Sequence, residues 1–292
     1  MDELVNPRSL PDSLLEAVTQ ELWHYSVGFH FVRDSPTGAG AGLGGSGTLV
    51  SIGNTRAILT AHHVVERLPR TGRLGILLGK TSEPESVDTA GLNFLQIAQG
   101  PHDYSGPDLG AIILAPSIAS AIGAKKSFYD IESRSASALS APPAVSDGLW
   151  AIQGFVDERT TITFDADGRG RTTAFFNYCG FGQPEPVVQD GQYDYFDMLV
   201  SQQARAVAPR RWNGVSGGGL WQADLRRRGN GLEHERPILA GVAFYQLPTD
   251  ETSCGVRCHG FRSVYQVALD AIRTGALTAH APDGAAVSER RW

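Results

Sequence analysis

At 292 residues the chain is long enough to bury one large core or two smaller ones. With 41% hydrophobic and 19% charged residues its composition is that of a globular protein and excludes a disordered one. A formal net charge of −6 leaves no nucleic-acid footprint, although arginines gather at Arg205, Arg210, Arg211 and Arg226 to Arg228 on what reads as solvated surface.

Three cysteines, Cys179, Cys254 and Cys258, do not describe a disulfide-stapled secreted domain. No apolar run approaches the roughly 18 residues of a membrane span. The first residues lack the basic start and apolar stretch of a signal peptide. The expectation is a cytoplasmic protein with neither membrane nor nucleic acid as partner.

In chain order, the first element is a helix over residues 12–25. Ser13 reads as its N-cap, with Glu16 completing a capping box. Leu14, Leu15, Val18, Leu22 and Trp23 recur at helical spacing. Residues 1–26 form an extension whose helix is expected either to lie across the outside of a first lobe or to serve as a docking element for a partner. A glycine-rich stretch, Gly38 to Gly47, reads as a turn region. No Gly-Lys-Ser/Thr ending follows it and the next segment is β-like, so a phosphate loop is excluded.

Residues 48–52 and 55–60 make a hairpin turning at Gly53-Asn54. Further strands are expected at 74–78, 92–97 and 109–114, completing a lobe over 27–131. A Ser-, Ala- and Pro-rich bridge spans 132–147. A second lobe, 148–277, carries strands at 149–156, 160–164, 172–176, 195–200 and 238–245, with a turn at 165–170. Its closing helix starts at Ser263, turns Val264, Val267, Ala268, Ala271 and Ile272 inward, and stops at Gly275. Residues 278–292 read as a loose tail. Many short strands and one terminal helix specify an all-β fold of paired barrels or a sandwich.

Three segments carry chemistry. Thr60-Ala61-His62-His63-Val64 places two histidines where a strand gives way to a turn. Asp108 immediately precedes the apolar run Leu109 to Leu114. Ser216 lies in a glycine-lined turn, Gly214-Val215-Ser216-Gly217-Gly218-Gly219-Leu220. A serine hydroxyl becomes nucleophilic when an imidazole takes its proton. The imidazole in turn needs an anion on its other nitrogen. Glycines allow the backbone to turn N–H groups toward a developing oxyanion. Singly, each segment is an ordinary strand end, cap or tight loop; together, in this order and each beside a β run, they describe a nucleophilic site.

These segments resemble those of the trypsin-like, chymotrypsin-fold serine peptidases, whose histidine motif is Thr-Ala-Ala-His, whose acid opens Asp-Leu-Ala-x-x-x-Leu, and whose nucleophile sits in Gly-Asn/Asp-Ser-Gly-Gly-Pro-Leu. The resemblance extends over about residues 27–275. It implies two packed six-stranded β-barrels, with His63 as general base, Asp108 as its orienting acid and Ser216 as nucleophile. Backbone N–H groups of Gly214 and Ser216 would form the oxyanion hole.

Three departures bear on function. His62 stands where the family has a small residue, and Gly219 replaces a proline. A third, Val215, stands where activated secreted members carry an aspartate for a new amino terminus, so activation by amino-terminal insertion is not expected. The resemblance places the specificity pocket among Arg210, Arg211, Phe244, Tyr245 and Gln246, with Gly260 at its rear. An acidic floor is missing; Arg210 at the floor would favour an acidic side chain, whereas Phe244 would narrow the pocket.

Cys254, Cys258 and His259 are spaced for loop thiols, a disulfide or a partial zinc site. No metal and no cofactor is needed for acyl transfer. The expected activity is a serine endopeptidase acting on a restricted protein or peptide substrate, by family analogy in a bacterial stress or defence setting. The alternatives are a non-catalytic or ligand-gated peptide-binding module answering to a regulatory protein partner, and an esterase using the same triad.

Overall fold

The computed structural model describes residues 6–33, 40–79, 85–101, 103–164, 171–185, 188–201, 209–228, 231–247 and 253–279. The expected turn at 165–170, the residues from 280 onward, Gly38 and Arg205 lie outside them.

The first lobe contains strands β1 (Ser26–Arg33), β2 (Gly40–Ile52), β3 (Thr55–Thr60), β4 (Arg73–Leu77), β5 (Glu85–Asp88), β6 (Leu92–Gln99), β7 (Asp108–Leu114) and β8 (Tyr129–Asp130). They form a curled half-barrel in the order β5-β4-β1-β2-β3-β7-β6, with β8 beside β2. The second lobe contains β9 (Leu149–Phe155), β10 (Thr161–Phe164), β11 (Arg171–Ala174), β12 (Asn177–Pro184), β13 (Val188–Asp190), β14 (Tyr193–Ser201), β15 (Gly219–Ala223), β16 (Leu225–Arg228), β17 (Gly231–His234), β18 (Ile238–Gln246) and β19 (Ser253–His259). Its sheet runs β12-β9-β15-β18-β19-β14 and closes on itself where Gly182 to Pro184 of β12 pair with Met198 to Val200 of β14. The all-β, two-lobed architecture expected from the sequence is therefore present, with the closed six-stranded barrel in the second lobe.

Two cores explain the strand patterns. Val27, Phe29, Leu49, Ile58, Ile76 and Ile112 fill the first lobe. Ile152, Phe181, Met198, Leu220, Val242 and Val256 fill the second. Strand β7 is buried along its whole length because Ile112 and Leu114 face the first core while Leu109, Ala111 and Ile113 face the other. A strand covered on both faces loses the alternation of a half-exposed one.

Several local expectations need correction. Helix α1 (Asp12–Trp23) is N-capped by Pro11, and Ser13 sits inside it without a capping bond. Its main contacts are with β9 and β17 of the second lobe, not the outer face of the first. The described part of the glycine-rich stretch is not a turn but β2. A Cβ on Gly47 would lie 2.2 Å from Ile58 Cγ2 and one on Gly45 would lie 2.7 Å from Val64 Cγ2, so these glycines permit close packing. The 132–147 bridge contains a short helix, and another, Pro116–Gly123, follows β7. The carboxy-terminal helix enters through a π-type turn, Ser263–Ala268, and runs over Leu269–Ala279, past Gly275. A Cβ at Gly275 would lie 2.8 Å from Leu95 Cδ2, so its bareness serves helix-on-strand packing. The Gly53-Asn54 hairpin is as expected, with Gly53 at φ 52°. No helix among the described residues is long and apolar enough to cross a membrane.

Candidate active site

Helix α2 (His62–Arg67) follows β3 directly and has no side-chain cap of its own. The first N–H groups of any helix need external acceptors, and here Asp108, at the start of β7, supplies one. Its Oδ1 accepts the His63 N–H at 3.0 Å, while its Oδ2 lies 2.6 Å from His63 Nδ1. The same carboxylate thus anchors both the backbone and the ring of His63. Close approach of α2 to β7 requires Gly110, where a Cβ would lie 2.7 Å from Val65 Cγ2.

Burial of Asp108 pushes its pKa up, but the hydrogen bonds and charge of His63 outweigh burial and hold it below the ordinary carboxylate range. Behind the acid lies His259, fully buried on β19 and in ring contact with Phe244 and Tyr195. Its Nε2 accepts the Asp108 backbone N–H at 3.1 Å, so its proton resides on Nδ1. Desolvation brings the His259 pKa down to about 4, against the opposing pull of Asp108. The ring is therefore neutral near pH 7.

The Ser216 turn is shaped by Gly214 at φ 93° and Gly217 at φ 91°, values that only glycine adopts readily. A Cβ on Gly217 would lie 1.9 Å from the Ser46 carbonyl oxygen. Ser46 of β2 donates from Oγ to the Gly214 carbonyl at 2.6 Å and from its N–H to the Ser216 carbonyl at 2.8 Å. Thr48 Oγ1 donates to the Gly217 carbonyl at 3.1 Å. The Asn213 carbonyl accepts the Asp157 N–H at 2.8 Å. Because the peptide unit is planar and trans, that bond directs the Gly214 N–H away from Asp157. Among the described residues neither the Gly214 N–H nor the Ser216 N–H has a backbone acceptor. Val215 is buried, so the position expected to lack an activation ion pair is occupied by core.

His63, Asp108 and Ser216 border one cleft of about 490 Å³, together with Arg67, Trp212, Asn213, Val215, Phe244, Tyr245, Gln246 and Leu247. Ser216 Oγ rests 3.4 Å from the Phe244 carbonyl, a loose contact for a hydroxyl donor. His62 is buried and does not border the cleft. Asp103, the other acid near β7, is occupied in a local turn, accepting from the N–H and hydroxyl of Ser105 at 2.7 and 2.5 Å.

Of the expected specificity residues, Phe244, Tyr245 and Gln246 line the cleft, whereas Arg210, Arg211 and Gly260 do not. The two arginines are exposed, and the Arg211 N–H is held by Glu158 Oε2 at 2.7 Å. Gly260 instead packs on Asp194, where a Cβ would lie 2.6 Å from Oδ2. Gln246 ties the two cleft walls together: its Oε1 accepts the Trp212 N–H at 2.8 Å and its Nε2 donates to the Arg210 carbonyl at 3.2 Å. An Arg210 floor is thus replaced by an amide brace.

Cys179, Cys254 and Cys258 are free, buried thiols. Burial pushes Cys179 and Cys254 up to about 12 and raises Cys258 further. His259 is already engaged with Asp108, and no group of His, Cys, Asp and Glu suited to a metal occurs among the described residues.

Sequence reasoning missed Arg67, Trp212, Asn213, Leu247, Ser46 and His259. Arg67 alone had a readable signal, standing four residues after His63 on the same helix face.

No protein-family model matches the chain, and no curated protein matches it. Among solved structures, one from work on the coupled folding and binding of the intrinsically disordered Sesbania mosaic virus VPg protein is similar at 13% identity and a TM-score of 0.43, covering 84% of this chain and 90% of that one. The tobacco vein mottling virus protease is similar at 10% identity and a TM-score of 0.39, covering 86% of this chain and 82% of the viral one. Both likenesses are too distant to assign the chain to a family.

Proposed function

We propose that the chain is a serine endopeptidase that cleaves peptide bonds through an acyl-enzyme on Ser216. The observation that carries this reading is the 2.6 Å contact between His63 Nδ1 and Asp108 Oδ2 in a cleft that His63 shares with Ser216. With Nδ1–H held by the acid, Nε2 of His63 is the ring position left to accept a proton.

In the first step Nε2 takes the hydroxyl proton as Oγ bonds to the scissile carbonyl carbon, and the carbonyl oxygen becomes an oxyanion. The Gly214 and Ser216 N–H groups, unclaimed by backbone acceptors among the described residues, suit that charge. Collapse breaks the C–N bond, and the imidazolium returns its proton to the departing amine. Water then repeats the sequence on the ester, releasing the acid and Ser216. Asp108 stabilises the imidazolium throughout without taking its proton. A polypeptide substrate fits an open cleft whose rim is formed by both lobes.

Covalent labelling by a fluorophosphonate, mapped by mass spectrometry, tests the reading. The label is expected on Ser216 and absent in Ser216→Ala. Asp108→Asn is expected to lower kcat by about 10⁴-fold, because the amide no longer selects the working tautomer. Wild-type hydrolysis in Ser216→Ala would overturn the assignment.

A further inference from the structure

Resting on the acyl-transfer reading above, the geometry points to Arg67 as a specificity-determining residue. We propose that it recognises a carboxylate side chain of the substrate on the leaving-group side of the scissile bond.

Arg67 lines the cleft and is exposed, and no ion pair to it occurs among the described residues. The carboxylate and imidazole on the cleft wall, Asp108 and His63, are engaged with each other. Arg67 follows His63 by four residues in α2, which places the two on one helix face. Glu66 lies about 100° round the helix and does not line the cleft.

Chemistry fixes which half of the substrate meets this face. His63 must deliver its proton to the departing amine, so the amine nitrogen lies against the imidazole, and the chain beyond it leaves along α2. Four helical residues advance about 6 Å, the span of roughly two residues of extended peptide. The guanidinium is therefore set to meet a side chain about two residues past the cut. A planar guanidinium, always charged, is suited to bidentate pairing with a carboxylate. The result is selection for Asp or Glu downstream of the bond, by a residue outside the set expected to read substrate.

The test digests a synthetic, acetylated combinatorial peptide library with the full-length wild type, Arg67→Ala and Arg67→Glu, and sequences the products. Wild type is expected to enrich Asp and Glu at the second or third position past the cut by about fivefold or more. Arg67→Ala should erase the enrichment, and Arg67→Glu should shift it to Lys and Arg. On a matched pair of peptides differing as Glu against Gln, the acid-to-amide selectivity should fall about tenfold in Arg67→Ala, through KM. Fluorophosphonate labelling of Ser216, run on each protein, separates the two readings. An unlabelled wild type defeats the acyl-transfer reading itself. A labelled wild type that cuts no library peptide overturns peptide selection by Arg67 together with the endopeptidase reading, whereas one that cuts without acidic enrichment, or whose preference survives Arg67→Ala, overturns the role of Arg67 alone.

Discussion

The buried His259 makes a quantitative prediction about acid stability. Its pKa lies at about 4 in the fold against an ordinary 6.5, because the ring is desolvated. Between those values the unfolded chain binds the proton more readily than the native one, so stability falls as pH falls. The contribution is complete above about pH 6.5 and exhausted near pH 4, where the native ring also charges. A depression of about 2.5 pH units corresponds to about 3 kcal/mol, a large fraction of the stability of a typical domain. Asp108 acts in a different window: its pKa is held below the ordinary 3.8, so its contribution is present above that value and lost only below it.

The informative variant is His259→Gln, whose amide oxygen can accept the Asp108 N–H but does not titrate. Urea unfolding of both proteins at several pH values from 7 to 4 gives the difference in unfolding free energy, in which carboxylates common to both cancel. That difference should move by about 3 kcal/mol in favour of the variant as pH falls across the window. Parallel pH profiles, agreeing within about 0.5 kcal/mol, would falsify the placement of a neutral imidazole behind the acid.

Two further outcomes concern the histidine pair and the glycine-lined turn. His63→Ala should remove measurable amide hydrolysis, whereas His62→Ala, buried away from the cleft, should retain at least a tenth of kcat/KM, a loss below about 1.4 kcal/mol; steady-state kinetics decides, and an equal, complete loss in both would contradict it. Gly217→Ala should destabilise by about 3 kcal/mol or more in urea melts and abolish fluorophosphonate labelling. The left-handed backbone costs an alanine about 1–2 kcal/mol, and its Cβ would need the Ser46 carbonyl, 1.9 Å away, to move. Normal stability with normal labelling would refute that description of the turn.

What was legible in the sequence was what local chemistry carries. Strands with a β-branched run, the Gly53-Asn54 turn and the three segments whose His63, Asp108 and Ser216 meet at one cleft each announce themselves over five to seven residues. The glycine-rich stretch misled because glycine has two uses: it bends chains, and it lets packed elements approach. The second applies at Gly45 and Gly47, and only knowledge of Val64 in the helix above and Ile58 across the sheet reveals it. Ser13 and Gly275 failed as helix boundaries for a related reason, since caps are decided by which backbone groups lie nearby. The specificity wall was least legible. Gln246 braces Trp212 and Arg210 from 34 and 36 residues away in sequence, so no local pattern could show that Arg210 is held by its carbonyl outside the cleft. His259 gave no signal because its partner is a backbone N–H 151 residues distant.

The long-range contacts also explain how Ser216 of one lobe keeps register with Asp108 and His63 of the other. The second lobe serves the Val215 and Gly218 carbonyls of the turn through the Gly218 and Ala243 N–H groups, but three others are met from across the interface. Ser46 serves the Gly214 and Ser216 carbonyls, and Thr48 serves that of Gly217. Thr60, three residues before His63, donates to the Ser46 carbonyl at 2.7 Å and ties this clamp to the start of the histidine helix. The reverse tie is the Asp108 N–H held by His259. Leaving any of these buried groups unpaired costs about 1–3 kcal/mol, so sliding the lobes apart would strand several at once. Acyl transfer depends on sub-ångström placement of hydroxyl and imidazole. Behind the tight His63–Asp108 pair and the loosely held Ser216 hydroxyl, that placement is supported by the Ser46, Thr48 and Thr60 hydroxyls and the neutral His259 ring, none of which borders the cleft.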